Sequence, residues 1–98
     1  MSAVAESKAK PKLKRPPNYA CILHNDNYTT MEFVIEVLQK YFGKEMQAAT
    51  KVMLDIHTKG KGVAGVYSFE IAETKAAQVV EYARSREYPL LCTVEPAD

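Results

Sequence analysis

Asn25, Asp26 and Asn27 set three oxygen-bearing side chains in a row, straight after the apolar run Ala20-Cys21-Ile22-Leu23. Thr29, with Glu32 three residues on, reads as a capping box that opens a helix. The oxygens therefore sit at a strand-to-helix junction, which holds side chains in place and leaves them reachable. A carboxylate flanked by two amides suits a small cation, either a metal ion or an ammonium group. His57 is the second candidate. It follows Ile56 and lies one turn from Met53, at the edge of an apolar helix face. Its plain reading is a partly buried ring satisfied by backbone. Its functional reading is a neutral imidazole accepting a hydrogen bond, since an unperturbed histidine titrates near pH ~6.5. His24, beside Asn25, reads as a surface or edge-strand residue.

Other chemistries find little footing. Zinc needs three or four Cys, His or carboxylate ligands, and Cys21 and Cys92 have no histidine at a zinc-like spacing. Asn-Asp-Asn without a following glycine and a distal glutamate is too thin for calcium. Both cysteines lie in apolar strand-like runs, where thiols are usually inert, and they read as free and buried. Lys59-Gly60-Lys61-Gly62 lacks the spacing of a phosphate loop and reads as a turn. No catalytic residue and no cofactor are expected. Met31 and Met53 read either as core or as the flexible lining of a pocket that accepts several apolar shapes.

Six elements would position these groups. A strand over Tyr19–His24 precedes a helix from Thr30 to about Tyr41, with Val34, Val37, Leu38 and Tyr41 at helical spacing. Glu36 and Lys40 form a favourable i,i+4 pair on it, and Gly43 is set to end it in the left-handed conformation. A second helix, from about Glu45 to Thr58, repeats the pattern with Ala49, Val52, Met53 and Ile56 and stops at Gly60. Val63, Gly65, Tyr67 and Phe69 alternate with Ala64, Val66 and Ser68 as in a strand. Ser68 can cap a third helix, from about Glu70 to Arg86, with Ala72, Ala76, Val79, Val80 and Ala83 as its buried stripe. Pro89 interrupts the chain, and Leu90–Val94 is the last strand. The order β-α-α-β-α-β predicts a single small α+β domain, three helices against a three-stranded antiparallel sheet.

The near-neutral charge of the 98 residues hides an asymmetry. Residues 1–17 hold five bases and one acid, a net of +4, whereas residues 18–98 hold eight bases and eleven acids. The expected division is a flexible, disordered basic N-terminal extension over 1–17 and a folded domain over 18–98. The extension reads as a solvated leader with no specific partner, or as a contact for nucleic acid or an acidic partner surface. The mildly acidic folded part argues against nucleic acid as the main ligand. No apolar run reaches the ~20 residues that span a bilayer, and the first residues lack a signal-peptide core. With unpaired cysteines, a cytoplasmic protein is the expectation.

Several ordered segments resemble one family: Asn25-Asp26-x-Tyr28-Thr29-x-Met31-Glu32-Phe33-Val34, Ala49-Thr50-x-x-Met53-Leu54-x-x-His57, Gly65-Val66-Tyr67, Glu70-x-Ala72-Glu73-Thr74-Lys75 and Pro89-Leu90-x-Cys92-Thr93-x-Glu95. Over residues 18–96 the chain resembles ClpS, the bacterial adaptor that carries N-degron substrates to the ClpA-ClpP protease. The resemblance implies a monomeric, non-enzymatic adaptor that binds proteins beginning with Leu, Phe, Tyr or Trp. It implies that Asn25, Asp26, Asn27 and His57 surround the free α-amino group. Leu23, Thr29, Met31, Val34, Met53, Ile56 and Leu90 would shape the apolar cavity, with Met31 crowding side chains branched at Cβ. It implies Tyr67, Glu70 and Lys75 as the contact with the N-domain of the ClpA unfoldase, and an unfoldase role for the basic extension. Glu70 and Lys75 otherwise read as ordinary exposed helix charges. Many family members carry Asp where this chain has Asn27 and Pro where it has Thr30, a residue read here as the first of its helix. Two other readings stand beside this one. The first is an interaction module like a ribosomal stalk-protein C-terminal domain, since fold alone does not fix function. The second is a small thiol or histidine hydrolase.

Overall fold

The computed structural model describes residues 18–97; the basic extension expected over 1–17 lies outside them. The elements are β1 (Tyr19–His24), α1 (Met31–Lys40), α2 (Met46–Lys59), β2 (Lys61–Tyr67), α3 (Phe69–Ser85) and β3 (Leu91–Pro96). The α+β class and the β-α-α-β-α-β order agree with the sequence reading. The sheet is antiparallel in the order β2-β1-β3, so β1 is its central strand and not an edge.

Centrality explains the burial of β1. Successive strand side chains face opposite sides of the sheet. Cys21 and Leu23 join the helix-covered core with Val37, Leu38, Ala72, Val79 and Leu90. Ala20 and Ile22 are also buried, yet stand apart from that cluster. They face the other side of the sheet, flanked by Val66 and Val63 of β2 and by Glu95 and Thr93 of β3. The alanines of α3 (Ala72, Ala76 and Ala83) are buried as the pattern predicts, letting that helix lie close to the sheet.

Five local expectations are corrected. Thr30, not Thr29, is the N-cap of α1: its hydroxyl accepts from Phe33 N at 3.1 Å. Thr29 is occupied by Asp26 instead, so the Thr29–Glu32 capping box does not form. β2 starts two residues early and ends before Phe69, which opens α3. A bulge against Cys21/Ile22 breaks its alternation, so Ala64 is buried while Val63 and Val66 both lie exposed, as an inserted residue flips the facing of those beyond it. His24 ends the central strand and shares a 2.8 Å hydrogen bond with Thr93 Oγ1. Glu36 and Lys40 converge on Tyr82, which donates to Glu36 and lies 4.3 Å from the Lys40 ammonium. Gly43 has the expected positive φ of 63°, but α1 already ends at Tyr41.

Candidate functional site: a polar-rimmed apolar cavity at the end of the central strand

The chain leaving β1 at His24 runs straight into a cavity of about 420 Å³. Two elements wall it. One is the loop Asn25–Thr30 with the first turns of α1, giving Met31 and Val34; the other is α2, giving Met53, Ile56 and His57. Asn25 N donates to Gly60 O at 2.9 Å and clamps the loop to the end of α2. Gly60 turns the chain there at φ 95°, in the left-handed region where glycine carries no steric penalty. Gly62, paired with Leu23, must also lack a side chain. A Cβ on it would stand 2.9 Å from Ile56 Cγ1, the cavity's own wall.

Asp26 organises this loop. Its Oδ1 accepts from Tyr28 N at 2.8 Å and from Thr29 N at 2.7 Å, and its Oδ2 accepts from the Thr29 hydroxyl at 2.7 Å. Partial burial pushes its carboxyl pKa up, but these three hydrogen bonds, with the nearby Arg84 charge, outweigh that and hold it below the usual range. Asp26 therefore stays ionised, and its charge is the only formal negative charge among the cavity-lining residues at neutral pH. Asn25, Asn27 and His57 are exposed at the cavity and offer amide oxygens and an imidazole nitrogen. Met31, Val34, Met53 and Ile56 give the cavity its apolar lining. A group that is cationic at one end and apolar at the other matches both halves.

Of the residues expected here, nine line the cavity together: Asn25, Asp26, Asn27, Thr29, Met31, Val34, Met53, Ile56 and His57. Leu23 and Leu90 do not. They are 0% and 1% exposed and belong to the core beneath. Leu23 on β1 and Leu90 on the α3–β3 connection pack in that core, so they shape the cavity only through what they support. His57 is exposed, not partly buried, which favours its functional reading over its plain one. Tyr28 and Thr30 are lining residues that the pattern reading passed over. The signal for Tyr28 was present, because a loop that brings both Asn27 and Thr29 to one rim must carry it between them.

The residues proposed for partner contact sit at the other end of the sheet. Tyr67 pairs with Tyr19, five strand steps from the His24–Lys61 pair, or roughly 17 Å. Glu70 is exposed, whereas Lys75 is half-buried and not an ordinary surface charge. Its ammonium donates to Tyr41 O at 2.8 Å and lies 5.2 Å from the Tyr67 ring. It satisfies a carbonyl that the end of α1 leaves open.

The two cysteines are free and buried. Burial pushes the Cys92 thiol up to about 12, with Cys21 adding to the rise, and burial likewise raises Cys21. Neither is a thiolate near neutrality, so a thiol nucleophile has no basis here. Among the described residues no group of three or more His, Cys, Asp or Glu side chains is placed to hold a metal ion.

Residues 14–93 match the family described as ATP-dependent Clp protease adaptor protein ClpS. The chain belongs to the ClpS family. Its adaptors are non-catalytic, which agrees with the absence of a catalytic residue from the sequence reading. ClpS from Xanthomonas campestris pv. campestris is 54% identical over 89 residues, covering 91% of this chain and 84% of that protein. ClpS from Shewanella pealeana is 54% identical over 92 residues, covering 94% and 90%. In three dimensions the chain is similar to Agrobacterium tumefaciens ClpS2 bound to L-phenylalaninamide. The TM-score is 0.81 at 37% identity, over 85% of this chain and 100% of that one.

Proposed function

We propose that this ClpS-family chain holds the first residue of a protein substrate in the cavity beside Asp26 and delivers that protein to a ClpA-type unfoldase for degradation by ClpP. The observation that carries the reading is the pairing of polar acceptors and an apolar wall in one cavity at the end of β1. L-phenylalaninamide, the molecule bound by the Agrobacterium relative, joins an α-ammonium to a bulky apolar side chain, as a free N-terminal Phe does.

In this reading the α-ammonium donates to Asn25, Asn27 and His57. Asp26 keeps the loop in shape and supplies the negative potential. Asn27, uncharged, contributes an amide oxygen but no charge of its own. The side chain, Leu, Phe, Tyr or Trp, enters between Met31, Val34, Met53 and Ile56. Met31 at the rim disfavours side chains branched at Cβ. Tyr67, Glu70 and Lys75 meet the unfoldase from the far end of the sheet, so both partners can be held at once. Residues 1–17 form an extension that contacts the unfoldase and 18–98 the adaptor domain. The protein acts as a monomer in the cytoplasm, a reducing compartment that suits two unpaired buried thiols.

The test is fluorescence anisotropy with peptides beginning Leu or Phe, each with a free or an acetylated terminus. Hydrogen bonds to a charged group are worth about 1.5–3 kcal/mol, so acetylation should weaken binding at least tenfold. Equal affinity for the two forms would overturn amine recognition. It would favour the stalk-protein-like interaction module, which has no need of a free amine.

A further inference from the structure

We infer that Tyr28 forms a second subsite, an aromatic shelf for the side chain of the substrate's second residue. The inference rests on the proposed seating of the first residue and extends it by one position along the substrate. Tyr28 lines the cavity mouth but is 76% exposed, the highest exposure among the large apolar and aromatic side chains of the described residues. Its backbone is not loose: its N–H is fixed to Asp26 Oδ1 at 2.8 Å, and the next residue's N–H and hydroxyl are held by the same carboxylate. A bulky ring left three-quarters exposed, on a backbone tied at two successive residues, is a preorganised contact surface.

The substrate's geometry leads to that surface. In an extended chain successive side chains point to opposite sides, with consecutive Cα atoms about 3.8 Å apart. If the first side chain points into the cavity and the amine faces Asn25 and Asn27, the second points outward over the rim. Met31 and Val34 lie against the first side chain in this arrangement. Tyr28, one residue beyond Asn27, is the large rim surface left for the second. A flat aromatic side chain stacks on a tyrosine ring, and an arginine can do so through its guanidinium. Glycine gains nothing there.

The experiment measures affinities of wild type and Tyr28→Ala for L-phenylalaninamide and for amidated peptides beginning Phe-Trp, Phe-Arg and Phe-Gly. Wild type should bind the Phe-Trp peptide about threefold to tenfold more tightly than the Phe-Gly peptide, the scale of one aromatic contact. Tyr28→Ala should bring that ratio below about twofold, and Tyr28→Phe should retain it, because the face and not the hydroxyl is used. An unchanged ratio in Tyr28→Ala, or an equal fall for every ligand including L-phenylalaninamide, would overturn the second subsite without overturning the proposed seating of the first residue. Failure of L-phenylalaninamide to bind wild type at all would overturn the seating of the first residue, and the shelf with it.

Discussion

The two ends of β1 hold polar groups in opposite ways. At the His24 end, the loop turns its strongest acceptor, Asp26, onto its own backbone and leaves Asn25, Asn27 and His57 facing an open cavity. At the Tyr19 end, Lys75 is drawn inward onto Tyr41 O and the Tyr67 ring, and Glu70 is exposed in the first turn of α3. The first end has built a concave receptor, and the second leaves Val66, Phe69 and Ile71 exposed. A small cationic group needs converging acceptors, whereas a folded partner needs a surface it can cover. One strand separates the two proposed tasks, and their independence can be tested.

The strongest perturbation should strike both ends together. Leu23 is fully buried on the shared strand, and Leu23→Ala should cost about 2–5 kcal/mol of stability, read as a lower denaturant midpoint. A stable Leu23→Ala protein with altered choice of first residue would instead return Leu23 to the cavity lining. Next come changes at the receptor end alone. His57→Ala and Asn25→Ala should each weaken Phe-first peptides roughly tenfold to a hundredfold, while affinity for the unfoldase N-domain holds. Cys21→Ser should weaken peptide binding less than either.

Asp26 sharpens the comparison through pH. Its carboxyl pKa is lowered in the folded chain, so its contribution to stability is complete above the unfolded value of about 3.9. It is lost as pH falls through the lower folded value. Urea midpoints measured from pH 6 downward (about 6 to 2, spanning that range) should fall less steeply for Asp26→Asn than for wild type. Identical slopes would mean that the loop does not depend on the carboxylate. The smallest effect belongs to the far end. Lys75→Met removes one bond to Tyr41 O and should cost about 0.5–1.5 kcal/mol. It should weaken unfoldase binding and leave peptide affinity alone. Coupled losses of both affinities, beyond the stability change, would break the proposed independence of the two ends.

Periodicity revealed the helices because their faces are decided by neighbours three and four residues away, as with Val34, Val37 and Leu38. It failed at β2, where the extra residue Ala64 opposite Cys21/Ile22 changes facing midway, which shows only once the strand is paired with β1. The same limit applied to the cap of α1. Thr29 and Thr30 are chemically alike, and only the position of the Asp26 carboxylate decided which hydroxyl remained for Phe33 N.

The sequence alone determined the element order, the buried thiols and the cluster of acceptors beside an apolar helix start, because residue type and local spacing carry those properties. Only the tertiary structure decided that β1 is central, and that Leu23 and Leu90 lie under the cavity and not in it. It also showed that Asp26 is spent on its own loop, that Tyr28 stands at the mouth and that Lys75 caps α1. Each of these depends on which distant groups arrive first at a hydrogen bond or a packing site, and distances across the fold are not written in local spacing.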